Sequence, residues 1–330
     1  MTQTAPRYVA VLLLLAVALL MPELRANAQA ELKIVEHVIP TPRSMPHSIA
    51  AAPDGRIYFS ELAANKIGVF DPRTGQFAEA VAPTPRSQPH GVAVEPRTGM
   101  VYVTQLAGGK LMQYKAPSEI REFDVPTANS APHTAWPDRD GNIYFTEART
   151  GKIGRLNPQS GQVTEWQLPA RGGVPYGIEL DRQGIAWVAQ LNASRIARLD
   201  PTSGQIQEFV PRTPNSGTRR LSVDSRGRLW ITYNRAHKIG MFDPSTNAFT
   251  EMDTVSSASE PYAVVVDRDD YVWYSEFTTD QIVRYDPRTN QSIVFKTPGT
   301  QTQVRFLTVA PDGSVWYANF GNSRIGRIGR

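Results

Sequence analysis

The chain contains no cysteine, which removes disulfides, thiolate metal ligation and thiol nucleophiles together. No apolar run reaches the roughly 20 residues that a membrane-spanning helix needs; the longest, Val9 to Met21, has thirteen. Excess charge is small. There are 35 basic and 31 acidic residues, and without residues 1–30, which hold Arg7, Arg25 and Glu23, the balance is +3. That is too little for a dedicated nucleic-acid binder. Also missing are a phosphate-cradling G-x-x-x-x-G-K-[ST], a G-x-S-x-G nucleophile elbow, an H-E-x-x-H helix and the paired GH and WD marks of WD40 repeats. No segment carries a helical period.

What is present begins with a leader. Arg7, the apolar run, Pro22 and the small-residue stretch Ala26-Asn27-Ala28-Gln29-Ala30 have the layout of a secretory signal peptide. Cleavage is expected near Ala28 or Ala30, with an uncleaved anchor as the alternative, and the destination is the periplasm or the exterior. Residues 31–330 then form one domain.

That domain is a repeat. His47, His90, His133, Tyr176, Arg219, Tyr262 and Arg305 stand 43 residues apart, each at the head of a similar phrase. Four-stranded propeller blades come at about 40–45 residues, so seven copies predict an all-β, seven-bladed β-propeller with four antiparallel strands per blade. The third copy shows the unit: PHTAWPD, turn, IYFTE, KIGRLN, turn, TEWQLP, with the period-2 alternation of half-buried strands. Asp54-Gly55, Asp140-Gly141 and Asp312-Gly313 supply the positive φ of tight hairpins, and Asp71 to Gly75, Asp200 to Gly204 and Asp286 to Asn290 suit type I turns. The recurring aromatics Tyr58, Tyr102, Tyr144, Trp187, Trp230, Trp273 and Trp316 are expected as core between blades, since large rings dominate buried area. The last copy stops at RIGRIGR, one strand short, and the segment from Leu32 to Pro40 reads as that missing strand. The N-terminal strand should therefore complete the C-terminal blade and remove an open edge.

Function should lie where copies differ. The tips begin the innermost strands and so predict a ring at one mouth of the channel. A second series, Glu61, Gln105, Glu147, Gln190, Tyr233, Glu276 and Asn319, closes the second strands and is expected at the same opening. Three of the five histidines lie in the first series, and histidine with carboxylate is the vocabulary of metal ligation and of acid–base catalysis. The candidate catalytic cluster is His47, His90, His133, Glu61 and Glu147, with His90, His133 and Glu147 as metal ligands. Tyr176, Arg219, Tyr262, Glu276 and Arg305 are the candidate ligand-binding set, the arginines favouring a carboxylate or phosphate.

The phrases PHGVAVEP, IYFTEARTGKIGRLNP, VPYGIELD and ELAANKIGVFDP resemble the virginiamycin B lyase (streptogramin lyase) family across the mature chain. The resemblance implies a seven-bladed propeller and magnesium-dependent opening of a cyclic depsipeptide antibiotic at its ester, by elimination. It also implies a Pro-His opening the sixth blade, a Glu-Pro-His opening the seventh, and a Glu just after the seventh blade's second strand. Those positions here are Tyr262, Gln303-Val304-Arg305, and Asn319 or Phe320, so the scaffold is shared and the family's acid, base and metal ligands are not. Two expectations follow. One is a lyase or lactonase-type enzyme, assisted by a divalent metal (Mg2+ by the resemblance), acting on a small ester or lactone at the channel mouth. The other is a non-catalytic propeller holding a small anionic ligand or a protein partner. A monomer without nucleic acid is expected in either case.

Overall fold

A computed structural model describes residues 32–330, which contain 28 strands in seven four-stranded sheets and no helix. The leader expected over residues 1–30 lies outside the described residues. Among the described residues no helix is long and apolar enough to cross a membrane.

Each sheet is an antiparallel meander running outward from the axis. In the first blade the strands are Pro46–Ala51, Ile57–Glu61, Lys66–Asp71 and Gln76–Val81. The seventh sheet has the order Lys33–Val38, Arg324–Gly329, Val315–Asn319, Val304–Val309. Lys33 pairs with Gly329 and Val38 with Arg324, so the N-terminal strand closes the ring as expected. The hairpin glycines Gly55, Gly141 and Gly313 have φ of 88°, 86° and 81°, a region that side chains with a Cβ avoid.

The seven second-strand aromatics are all buried and lie in the apolar clusters between blades. A second device joins neighbouring blades. Ser60 Oγ accepts the Ser48 N–H at 3.1 Å and donates to the His90 carbonyl of the next blade at 2.6 Å. Thr104, Thr146, Thr232 and Ser275 repeat this staple. Ala189 and Ala318 occupy the same position in blades four and seven and have no hydroxyl to make it.

Candidate functional site

The chain approaches each inner strand through a constrained loop. Two residues before every tip the backbone is left-handed: Met45, Gln88, Ala131, Val174, Gly217, Glu260 and Gln303 have φ between 42° and 66°. Only one is glycine, and in β-branched Val174 this conformation is a genuine outlier, of the kind that surrounding structure must hold in place. Each inner strand then slips register at its tip. Pro46 pairs with Glu61 but Ile49 with Phe59, so His47 and Ser48 oppose Ser60 alone, and the other six blades slip likewise. Such a bulge re-aims a side chain.

The seven tips form a closed circuit. The His47 and His90 rings lie 3.6 Å apart between centroids, His90 and His133 4.0 Å, His133 and Tyr176 3.9 Å. The Tyr176 and Tyr262 hydroxyls are hydrogen-bonded. The Arg219 guanidinium sits 4.4 Å from the Tyr176 ring and 3.7 Å from the Tyr262 ring. Arg305 lies 5.8 Å from the Tyr262 ring and 3.6 Å from Phe320, whose ring is 6.1 Å from His47. Phe320, where the resemblance implies an acid, is thus an eighth member of the circuit.

Electrostatically the ring has two halves. The three imidazoles are buried, and burial lowers each pKa, that of His90 to about 3, with neighbouring imidazoles and arginines adding to the effect. They are neutral at neutral pH. His90 Nδ1 lies 3.0 Å from the His133 carbonyl and therefore carries its proton there, His133 Nδ1 faces Thr134 Oγ1 at 3.0 Å, and His47 Nδ1 has no partner. The other half is cationic and phenolic. Burial raises Tyr176, whereas Arg219, Arg220 and Arg305 together outweigh the burial of Tyr262 and hold its phenol below the usual value of 10. Arg219 Nη2 donates to Tyr176 Oη at 2.8 Å. Tyr176 is then left to donate its own proton to Tyr262, whose oxygen accepts.

The second series does not join this ring. Glu61, Glu147 and Glu276 end their strands at the same end of the blade but face its outer strands. Glu61 lies beside Glu79, and its pKa rises to about 7 through burial and that neighbouring charge. Glu147 accepts from Thr150 at 2.8 Å and is likewise raised to about 7, first by burial. Glu276 accepts from the Ser256 N–H and from Thr279. The acids that Glu61 and Glu147 face belong to a structural clip: Glu79 is held by Thr41 Oγ1 at 2.7 Å and Lys66 Nζ at 2.8 Å, and Glu165 by Thr127 and Lys152 in the same way. Of the ligand-binding candidates, Tyr176, Arg219, Tyr262 and Arg305 come together and Glu276 stands apart. Of the catalytic cluster the three histidines come together without Glu61 or Glu147.

A divalent metal does not fit this arrangement. Among the described residues no three His, Asp or Glu groups converge as ligands. The imidazoles lie ring over ring, Glu147 is turned from His90 and His133, and the nearest charges are guanidiniums.

The sequence matches the virginiamycin B lyase family over residues 97–330. The chain belongs to that family. A solved streptogramin B lyase superposes with a TM-score of 0.85 at 25% identity, covering 90% of this chain and 97% of the other. A catalytically inactive virginiamycin B lyase from Staphylococcus aureus with quinupristin superposes equally well at 23% identity, over 91% and 100% of the two chains. Kuenenia stuttgartiensis hydrazine synthase shares the fold at a TM-score of 0.73 and 14% identity, over 88% of this chain and 97% of that one. A search of curated proteins finds no match. This member of the virginiamycin B lyase family fills its ring of seven tips with a neutral histidine arc facing a tyrosine–arginine arc.

Proposed function

We propose that this chain is an exported propeller that takes a small anionic ligand, a carboxylate or an ester or lactone developing negative charge, at the tyrosine–arginine half of the ring. One observation carries the reading: Arg219 and Arg305 are half-buried at the mouth, neither forms an ion pair among the described residues, and the Nε of each is buried without an acceptor. Guanidiniums desolvated to this degree are stabilised by a planar anion that accepts from both nitrogens.

The state of Tyr262 favours catalysis as a second reading. A phenol made more acidic by three guanidiniums and accepting from Tyr176 serves as a base once it has ionised, and it lies beside two guanidiniums that can hold a developing enolate. A proton α to a carbonyl would pass to Tyr262 Oη, its C–H electron pair would form the new C=C bond, and the C–O bond would break with its electrons leaving on oxygen. No metal enters this step.

Titration of the purified protein with phosphate, small carboxylates and lactones tests both readings. Loss of Arg305 as Arg305→Gln is expected to weaken anion binding about tenfold, the scale of one charge-assisted hydrogen bond. Binding that survives both Arg219→Gln and Arg305→Gln unchanged overturns the proposal. Tyr262→Phe should keep anion binding and abolish lactone or ester turnover; a parent protein with no turnover leaves the binding reading alone.

A further inference from the structure

Behind the ring the channel widens into a cavity of about 320 Å³. It is lined mainly by residues one to four places after the tips and reaches Pro137, which ends its inner strand, and Pro96, two residues beyond the end of its own. Its wall is mainly apolar: Ile49, Val92, Ile178, Leu221, Val264 and Leu307 all contribute. One full charge lines it. Arg220 is the second residue of the fifth blade's bulge, 4% exposed, and reaches across the channel to donate to Thr134 Oγ1 at 3.2 Å, two blades away. Its guanidinium packs 4.2 Å from the Phe306 ring, and its Nε is buried without an acceptor. Among the described residues it makes no ion pair. Burial lowers it only to about 10, so it remains cationic at neutral pH.

A buried guanidinium without a counter-ion is costly. The one carboxyl in the same cavity does not supply the missing charge. Glu179 is buried, one oxygen accepts the Val223 N–H at 3.0 Å, and burial pushes it up to about 8, so it is neutral at neutral pH. An apolar sleeve with a single unpaired cation at its inner end is the complement of an amphipathic monoanion.

We infer that this cavity is a binding site, separate from the mouth, for a small carboxylate with a short apolar body, its carboxylate seated on Arg220 and its body lying along Ile49, Val92 and Val264. Arg220 borders the mouth as well, 5.3 Å from the Tyr176 ring and 5.7 Å from the Tyr262 ring, but the cavity's apolar wall lies wholly behind the tips, so the carboxylate site stands whether or not the mouth takes an anion. An apolar sleeve excludes phosphate, which would have to shed water on every side.

The test is calorimetric titration of the intact protein with hexanoate and with 4-fluorobenzoate, the latter followed also by fluorine NMR. Both should bind, phosphate should not displace them, and Arg220→Met should weaken them tenfold or more without lowering Tm, because it removes an unpaired buried charge and keeps the volume. Ala50→Phe, which narrows the sleeve and leaves Arg220 in place, should abolish hexanoate binding; it carries the test if Arg220→Met does not fold. Arg305→Gln, at the mouth, should leave both affinities within about twofold, which separates this site from the one proposed there. Failure of both carboxylates to bind, equal affinity in Arg220→Met, or hexanoate binding untouched by Ala50→Phe would each overturn the inference.

Discussion

Replacing Glu61 by glutamine should stabilise the protein at alkaline pH and leave it unchanged in acid. In the second blade Gln105 stands where Glu61 stands in the first, and its Nε2 donates to Glu122 at 2.7 Å; Gln190 does the same to Glu208 at 2.8 Å. Glu61 faces the corresponding Glu79, which Thr41 and Lys66 keep ionised, with its pKa lowered. Only a protonated Glu61 can play the part of the glutamine. Its pKa rises from 4.5 to about 7 on folding, which at roughly 1.4 kcal/mol per pH unit amounts to about 3 kcal/mol. That is an upper bound, because the site relaxes around a charge. The sign follows from proton binding. Below 4.5 both folded and unfolded chains hold the proton and nothing is lost. Between 4.5 and 7 the unfolded chain releases it first, so stability falls as pH rises, and above 7 the full penalty stands. Glutamine does not titrate. The Glu61→Gln variant should therefore match the parent at pH 4 and exceed its Tm by on the order of 5 °C at pH 8, read by calorimetry across that range. A difference that is constant with pH, or a variant less stable than the parent at pH 8, would refute the pairing of a protonated acid with Glu79.

Two further outcomes are expected. Absorbance titration at 295 nm should show one tyrosine ionising below 10, absent in Tyr262→Phe and shifted upward in Arg305→Gln; a Tyr262→Phe titration identical to the parent's contradicts the lowering of this phenol by the arginines. Ser60→Ala should cost about 1–3 kcal/mol in urea unfolding by stranding the Ser48 N–H and the His90 carbonyl, while Ala189→Ser, which supplies the missing staple toward the fifth blade, should gain about 1 kcal/mol; equal stability of all three proteins would show that the staple contributes nothing.

The spacing of 43 residues was enough to set the number of blades, the seam and the circuit of tips, because a closed ring turns equal separation along the chain into equal placement around an axis. The second series was misplaced at the mouth for a reason that spacing does not encode. The sequence shows at which end of a strand Glu61 lies, but its side is set by register parity. Glu61 pairs with Pro46 and with Lys66, so it points where they point, and the bulge turns His47 the other way. The same bulge sends Arg220 into the channel, which the run of arginines from 219 to 220 could not reveal. A legible signal was available for the staple: Ser60, Thr104, Thr146, Thr232 and Ser275 each sit one residue before the second series. Tyr262 was placed correctly as a tip, but its altered acidity depends on three guanidiniums drawn from two blades.

The seam joins Lys33–Val38 to Arg324–Gly329, and it lies beside Ala318, where no hydroxyl ties the seventh blade to the first. The most N-terminal of the described strands thus waits, unpaired, for the most C-terminal one. Until residue 329 arrives the six central blades are an open arc whose two ends have nothing to latch onto. Removal of only a handful of C-terminal residues should consequently do more harm than their number suggests, because it unlocks a circle rather than trimming a tail.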